Sequence, residues 1–216
     1  MTSLASIPAL HTLTPTALEK LAGRTRTAHF AAGAVLRPAG EAPSSVMFLM
    51  SGTVVATHSR PAGVEVWPEQ WTGPVIVDKA AALGGHPPAT GLMALTNIFV
   101  RLLPPAAFLD LLEEERSVRK HVLAQLARDA MAARRRLAQF ATLPAVAQIA
   151  GWLSEQNRDQ PVAWRGSQEQ LARVLGLSRV TVNRALARLT HAGAVKQATH
   201  GIIIVDRARL DTFVEN

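Results

Sequence analysis

The chain has 216 residues, with 23 Lys/Arg against 16 Asp/Glu for a formal charge of +7, and no cysteine. The missing cysteine excludes disulfide staples, thiolate zinc sites and thiolate-ligated iron–sulfur clusters, while the basic balance suits a polyanionic partner. No apolar run approaches the roughly 20 residues of a bilayer-spanning helix, Met1 to Ala9 lacks the pattern of a secretion signal, and the length suits two domains, so the expectation is a cytoplasmic two-domain protein with no membrane contact.

In chain order, Leu10, Leu13, Leu18 and Leu21 recur at helical intervals, with Thr14 as N-cap and Pro15 at the first helical position, so a short opening helix is expected. From His29 to about Leu103 the texture becomes short apolar or alternating runs punctuated by Gly33, Gly40, Gly52, Gly63 and Gly73, the pattern of a small β-barrel or sandwich. Pro104-Pro105 closes it. The next stretch has no Gly or Pro until Pro144, and Leu109, Leu112, Arg116, Arg119, Leu123, Leu126, Ala130, Ala133 and Leu137 follow at alternating steps of three and four, which predicts one long helix. That seam reads either as a homodimer interface or as a helix packed on its own barrel. Pro144 should end the helix and start a hinge.

The C-terminal segment carries the strongest signal. Ser167 and Gln170 form a capping box, Leu171, Val174 and Leu175 supply a buried face, and Gly176 permits a tight left-handed turn. Ser178 caps a second helix whose Val182, Leu186 and Leu189 point inward. Helix, turn, helix follows, and two strands near Ala194–Gln197 and Ile202–Val205 would make a wing. Arg179, Val180, Asn183 and Arg184 then face a DNA groove to read bases in duplex DNA, with Ser167, Gln168, Ser178, Thr181, Arg188 and Lys196 set for phosphates. Residues 111–216 carry 16 Lys/Arg against 10 Asp/Glu, so the partner should meet this half. The competing reading is a winged helix used for protein contacts, making the chain an effector-binding regulatory module. No nucleophile–base pair, phosphate loop or metal motif appears at informative spacing, so an enzyme is not expected.

Gly176-Leu177-Ser178-Arg179-Val180-Thr181-Val182-Asn183-Arg184 is similar to the recognition-helix signature of the Crp/Fnr family of bacterial transcription regulators. Gly40-Glu41, Ser51-Gly52 and the stretch from Gly85 to Phe108 resemble that family's cyclic-nucleotide-binding β-roll. The resemblance implies an α+β chain: an N-terminal double-stranded β-helix or jelly-roll sensor domain over 1–104, a dimerisation helix over 105–143 and a winged helix-turn-helix over 144–216. It also implies a homodimer on a twofold-symmetric site that contacts or blocks RNA polymerase.

Two departures from the family pattern carry expectations. The position of Val180 is commonly Glu in the family, and a valine cannot accept a hydrogen bond from cytosine N4, so contact with a thymine methyl is expected there. The positions that hold cyclic AMP fall on Pro88, Ala89, Asp78, Ala133 and Arg134, which leaves nearly every polar contact missing and the effector unknown. Leu83, Leu92, Met93 and Trp67 or Trp71 would line an apolar pocket or simply fill the barrel. No cofactor is expected. Haem, carried by some relatives, is the alternative, although the seven histidines show no ligand spacing.

Overall fold

A computed structural model describes residues 3–59, 65–155, 162–164, 166–198 and 201–215. The elements run in order as a short 3-10 helix (Leu4–Ser6), α1 (Pro15–Gly23), β1 (Arg26–Phe30), β2 (Val35–Arg37), β3 (Val46–Ser51), β4 (Thr53–Ser59), β5 (Glu65–Val66), β6 (Gln70–Thr72), β7 (Val75–Val77), α2 (Lys79–Gly84), β8 (Gly91–Ala94) and β9 (Ile98–Leu103). There follow α3 (Pro105–Glu114), α4 (Arg116–Thr142), α5 (Ala145–Glu155), β10 (Val162–Trp164), α6 (Gln168–Leu175), α7 (Arg179–His191), β11 (Val195–Ala198), β12 (Gly201–Ile204) and α8 (Arg207–Glu215). No described helix is long and apolar enough to cross a membrane.

The chain divides into two compact units, one of residues 1–58 and 68–131, the other of 59–67 and 132–216. The first is built on antiparallel sheets, one ordered β1-β9-β3-β7 and another containing β2-β8-β4 with β6 also on β4. Alternation along these strands separates two cores. Met47, Leu49, Val54, Val77, Leu92 and Val100 fill the interior of the roll. Phe48, Met50, Ile76 and Leu103 point the other way and bury against Leu10, Phe108, Leu111, Val118 and Val122 of the flanking helical segments. Gly52 sits at the β3–β4 turn with φ +88°, and a Cβ there would meet the Asn97 carbonyl oxygen at 2.4 Å, so only glycine fits.

The opening helix begins where its capping residues place it. Thr14 does cap it and Pro15 is its first residue, but Leu10 and Leu13 are buried in the turns before it. The continuous helix expected after Pro105 is broken at Glu115, where ψ of 92° is extended. The buried residues on either side stay in phase, so periodicity reads straight through the break. A carboxylate at Glu115 also suits the positive start of α4 better than the negative end of α3. In consequence Leu112, expected in a dimer seam, is 8% exposed inside its own unit's core, and Leu126 packs against that same core.

The second unit packs α5, α6, α7, α8 and the sheet β10-β12-β11 around Ile149, Leu153, Leu171, Leu186, Leu189 and Ile202. Pro144 opens α5 as expected, its carbonyl accepting from the Gln148 N–H at 3.0 Å. Residues 156–161 and residues 199 and 200, between the two expected wing strands, lie outside the described residues.

Candidate nucleic-acid interface

Local chemistry sets each end of the two helices. At α6 the Ser167 hydroxyl accepts from the Gln170 N–H at 3.1 Å, and Gln170 Oε1 accepts in return from the Ser167 N–H at 2.9 Å, completing the capping box. Gly176 then takes φ +63° at the helix end, a left-handed geometry that costs glycine nothing. The chain reverses there, and the Leu177 N–H donates back to the Ala172 carbonyl at 3.0 Å. Ser178 caps α7 by accepting from the Thr181 N–H at 3.0 Å, while its hydroxyl meets that of Thr181 at 2.8 Å. Both hydroxyls are thus occupied in starting the helix, as well as lying at its tip.

Helical spacing decides what α7 shows to solvent. Val182, Ala185, Leu186 and Leu189 are buried in the unit's core. Arg179, Val180, Asn183, Arg184 and Arg188 are exposed, Val180 by 58%. Among the described residues Arg179 and Arg184 have no ion-pair partner, so their guanidinium donors are available to an external anion. Arg188 is placed differently: its guanidinium lies over the Phe213 ring of α8 at 5.7 Å, a cation–π contact that holds the side chain against its own domain. Gln168 donates to Gln197 Oε1 of the wing at 2.6 Å, and Lys196 is exposed on β11. The structure therefore leaves Arg179, Val180, Asn183 and Arg184 exposed on α7 and holds Arg188 against Phe213.

Residues 147–213 match the family model of a Crp-like helix-turn-helix domain. Solved structures extend the likeness of fold beyond that domain. A CooA mutant from Carboxydothermus hydrogenoformans superposes with a TM-score of 0.81 at 15% identity, covering 97% of this chain and 95% of that one. FixK2 from Bradyrhizobium japonicum gives 0.73 at 17%, covering 88% and 96%. A CRP/FNR-family transcriptional regulator from Thermus thermophilus gives 0.69 at 19%, covering 88% and 99%. A search of curated protein sequences finds no match. The chain thus has the fold of Crp/Fnr-type DNA-binding transcriptional regulators, with a cyclic-nucleotide-binding-like unit ahead of the Crp-like domain.

Within the first unit the expected apolar lining divides between two cores. Leu92 points into the roll interior, whereas Leu83 packs with the other core, so the two do not line one pocket. Met93, on β8, pairs with Val35 and is partly buried, and Trp71 packs with the roll interior. Trp67 is buried in the second unit, under the Arg173 guanidinium at 5.3 Å, and its indole N–H donates to Glu65 Oε1 at 2.8 Å. Ala89 is exposed and Pro88 half-buried, the latter's carbonyl accepting from the Gly40 N–H at 2.9 Å. Ala133 and Arg134 are exposed on α4.

Asp78 is already engaged. Arg37, only 6% exposed, donates from Nε to Asp78 Oδ2 at 2.9 Å and from Nη1 to the carbonyls of Thr90 and Glu41 at 2.9 and 3.1 Å. Burial raises the Asp78 carboxyl above the ordinary carboxylate range, and the charge and hydrogen bond of Arg37 pull it back only in part. Sequence reasoning passed over Arg37; the available signal was an arginine inside an otherwise strand-like apolar run.

Proposed function

We propose that the protein is a sequence-specific transcription regulator that reads double-stranded DNA through the N-terminal turn of α7, as a homodimer on a twofold-symmetric site in the cytoplasm, without catalytic activity or a cofactor. The observation that carries this reading is the exposed cluster of Arg179, Val180, Asn183 and Arg184, its arginines unpaired among the described residues, on a helix whose other face is locked into the Crp-like domain's core. An arginine at such a tip can donate two hydrogen bonds to guanine O6 and N7, and an exposed valine can meet the thymine methyl. In this reading Ser167, Gln168, Ser178, Thr181, Arg188 and Lys196 serve the phosphates, which carry no sequence information.

Dimerisation through α4 is supported by apolar side chains left in solvent, Leu123 at 59% and Leu137 at 71% exposed, interleaved with exposed Ala130 and Ala133. Two equivalent helices would bury that stripe at heptad spacing. Cyclic AMP is not the controlling ligand in this reading: Asp78 is held by Arg37, and Pro88 and Ala89 bring no side-chain donor to a phosphate. Selection of binding sites from random duplexes tests the whole. The expected product is an inverted repeat with guanines opposite Arg179 and Arg184 and thymine at the Val180 step. A half-site with a strong cytosine at that step, or no enrichment at all, defeats the reading.

A further inference from the structure

A cavity of about 200 Å³ lies in the first unit between the segment before α1, strand β7 and helix α4. Its walls are mainly apolar, from Ile7, Val75, Ile76 and Val122. Ile76 and Val122 set it in the outer core, while Val75 packs on the roll interior. Two ionisable groups open onto it, Lys79 and His121.

Lys79 is 5% exposed, and its only acidic partner among the described residues is Asp129, at 3.3 Å. An ammonium carries three N–H donors, and burying donors without partners is costly. Asp129 is meanwhile served from its other side by the Gln125 side-chain amide at 2.8 Å, and Gln125 Oε1 accepts from Arg128 at 2.8 Å. Asp129 thus meets one cation, Lys79, and the Arg128 guanidinium is held beyond the Gln125 amide. Burial first, and then the charges of Arg128, His11 and Lys79, hold the His121 imidazole below its ordinary range.

We propose that this cavity binds a small organic anion, a monocarboxylate on a compact apolar body, with the carboxylate on Lys79 and His121 and the body against Ile7, Ile76 and Val122. The volume is below the ~300–1,000 Å³ of pockets that take drug-sized ligands, so the body is limited to a single ring or short branched chain. Apolar walls disfavour inorganic phosphate, and the spare ammonium donors disfavour a neutral isostere.

Benzoate titrated into the full-length protein by calorimetry is the test, with benzyl alcohol and inorganic phosphate as controls. Saturable binding of one benzoate per chain is expected, at least tenfold tighter than either control, together with an upward shift of the His121 titration seen by proton NMR. Lys79→Met should weaken benzoate at least tenfold. Gln125→Phe, which puts a ring into the cavity and leaves Lys79 in place, should weaken it similarly and serves as the test if the Lys79 variant does not fold. Equal benzoate affinity in the parent and the cavity-filling variant, or no saturation up to roughly 10 mM, overturns the proposal.

Discussion

The arginines of α7 and the arginine of β2 are the same side chain put to opposite uses. Arg179 and Arg184 stand in water at the start of a helix, with no acid near enough to hold them among the described residues, and keep all their donors for a partner. Arg37 is sealed inside the first unit, where Asp78 and backbone carbonyls take its donors and one nitrogen, Nη2, is left without a partner. Among the described residues the same guanidinium group is left uncompensated at Arg179 and Arg184 and is compensated by Asp78 where it is buried, at Arg37. A buried pair is a weak source of stability while intact and a large loss when one member goes.

Four perturbations sharpen or break that contrast. The largest effect is expected from alanine at both Arg179 and Arg184: two guanine contacts at about 1–3 kcal/mol each should vanish, removing most discrimination between cognate and scrambled duplexes in competition binding at fixed salt while the melting temperature stays close to the parent's. Retained discrimination would break the reading of α7. Next, Arg37→Met strands a buried carboxylate and should cost about 3–5 kcal/mol in denaturant unfolding, with DNA sequence preference unchanged in the protein that remains folded. A second change, Asp78→Asn, should recover part of that loss, because the stranded charge is what costs.

Ser178→Ala removes the cap of α7 and should cost about 1 kcal/mol of stability by thermal melting, with a smaller fall in affinity as the helix tip frays. The smallest effect concerns pH. His121 titrates below its ordinary 6.5 in the folded protein, so between that value and its folded one the unfolded chain binds more protons, and stability rises with pH there. Acidification from neutrality through that window should therefore destabilise the protein, and His121→Gln should flatten the slope measured by chemical denaturation. An unchanged slope would show that burial at His121 is less than its surroundings indicate.

Much of the second unit was legible from residues alone. Ser167 with Gln170, Gly176, and Ser178 with Thr181 are local devices, each satisfied within a few residues, so their chemistry reads directly from spacing, and the face left outside follows from 3.6 residues per turn. α8 was missed: it follows the wing with little apolar periodicity, yet its Leu210 is fully buried against partners distant in sequence. In the first unit the strands were visible as a texture, but the partner of Asp78 is 41 residues away and that of Lys79 is 50 away, and no spacing rule connects them.

By itself, then, the sequence determined the helix-turn-helix, its caps, its outward arginines and the strand-rich character of the first half, because those depend on short-range hydrogen bonding and on side-chain periodicity. Only the tertiary structure decided that Arg37 neutralises Asp78, that Leu112 belongs to a core while Leu123 and Leu137 remain in solvent, and that Lys79 and His121 meet across a cavity. Those outcomes depend on which distant segments pack together, and packing is settled by the burial of whole surfaces.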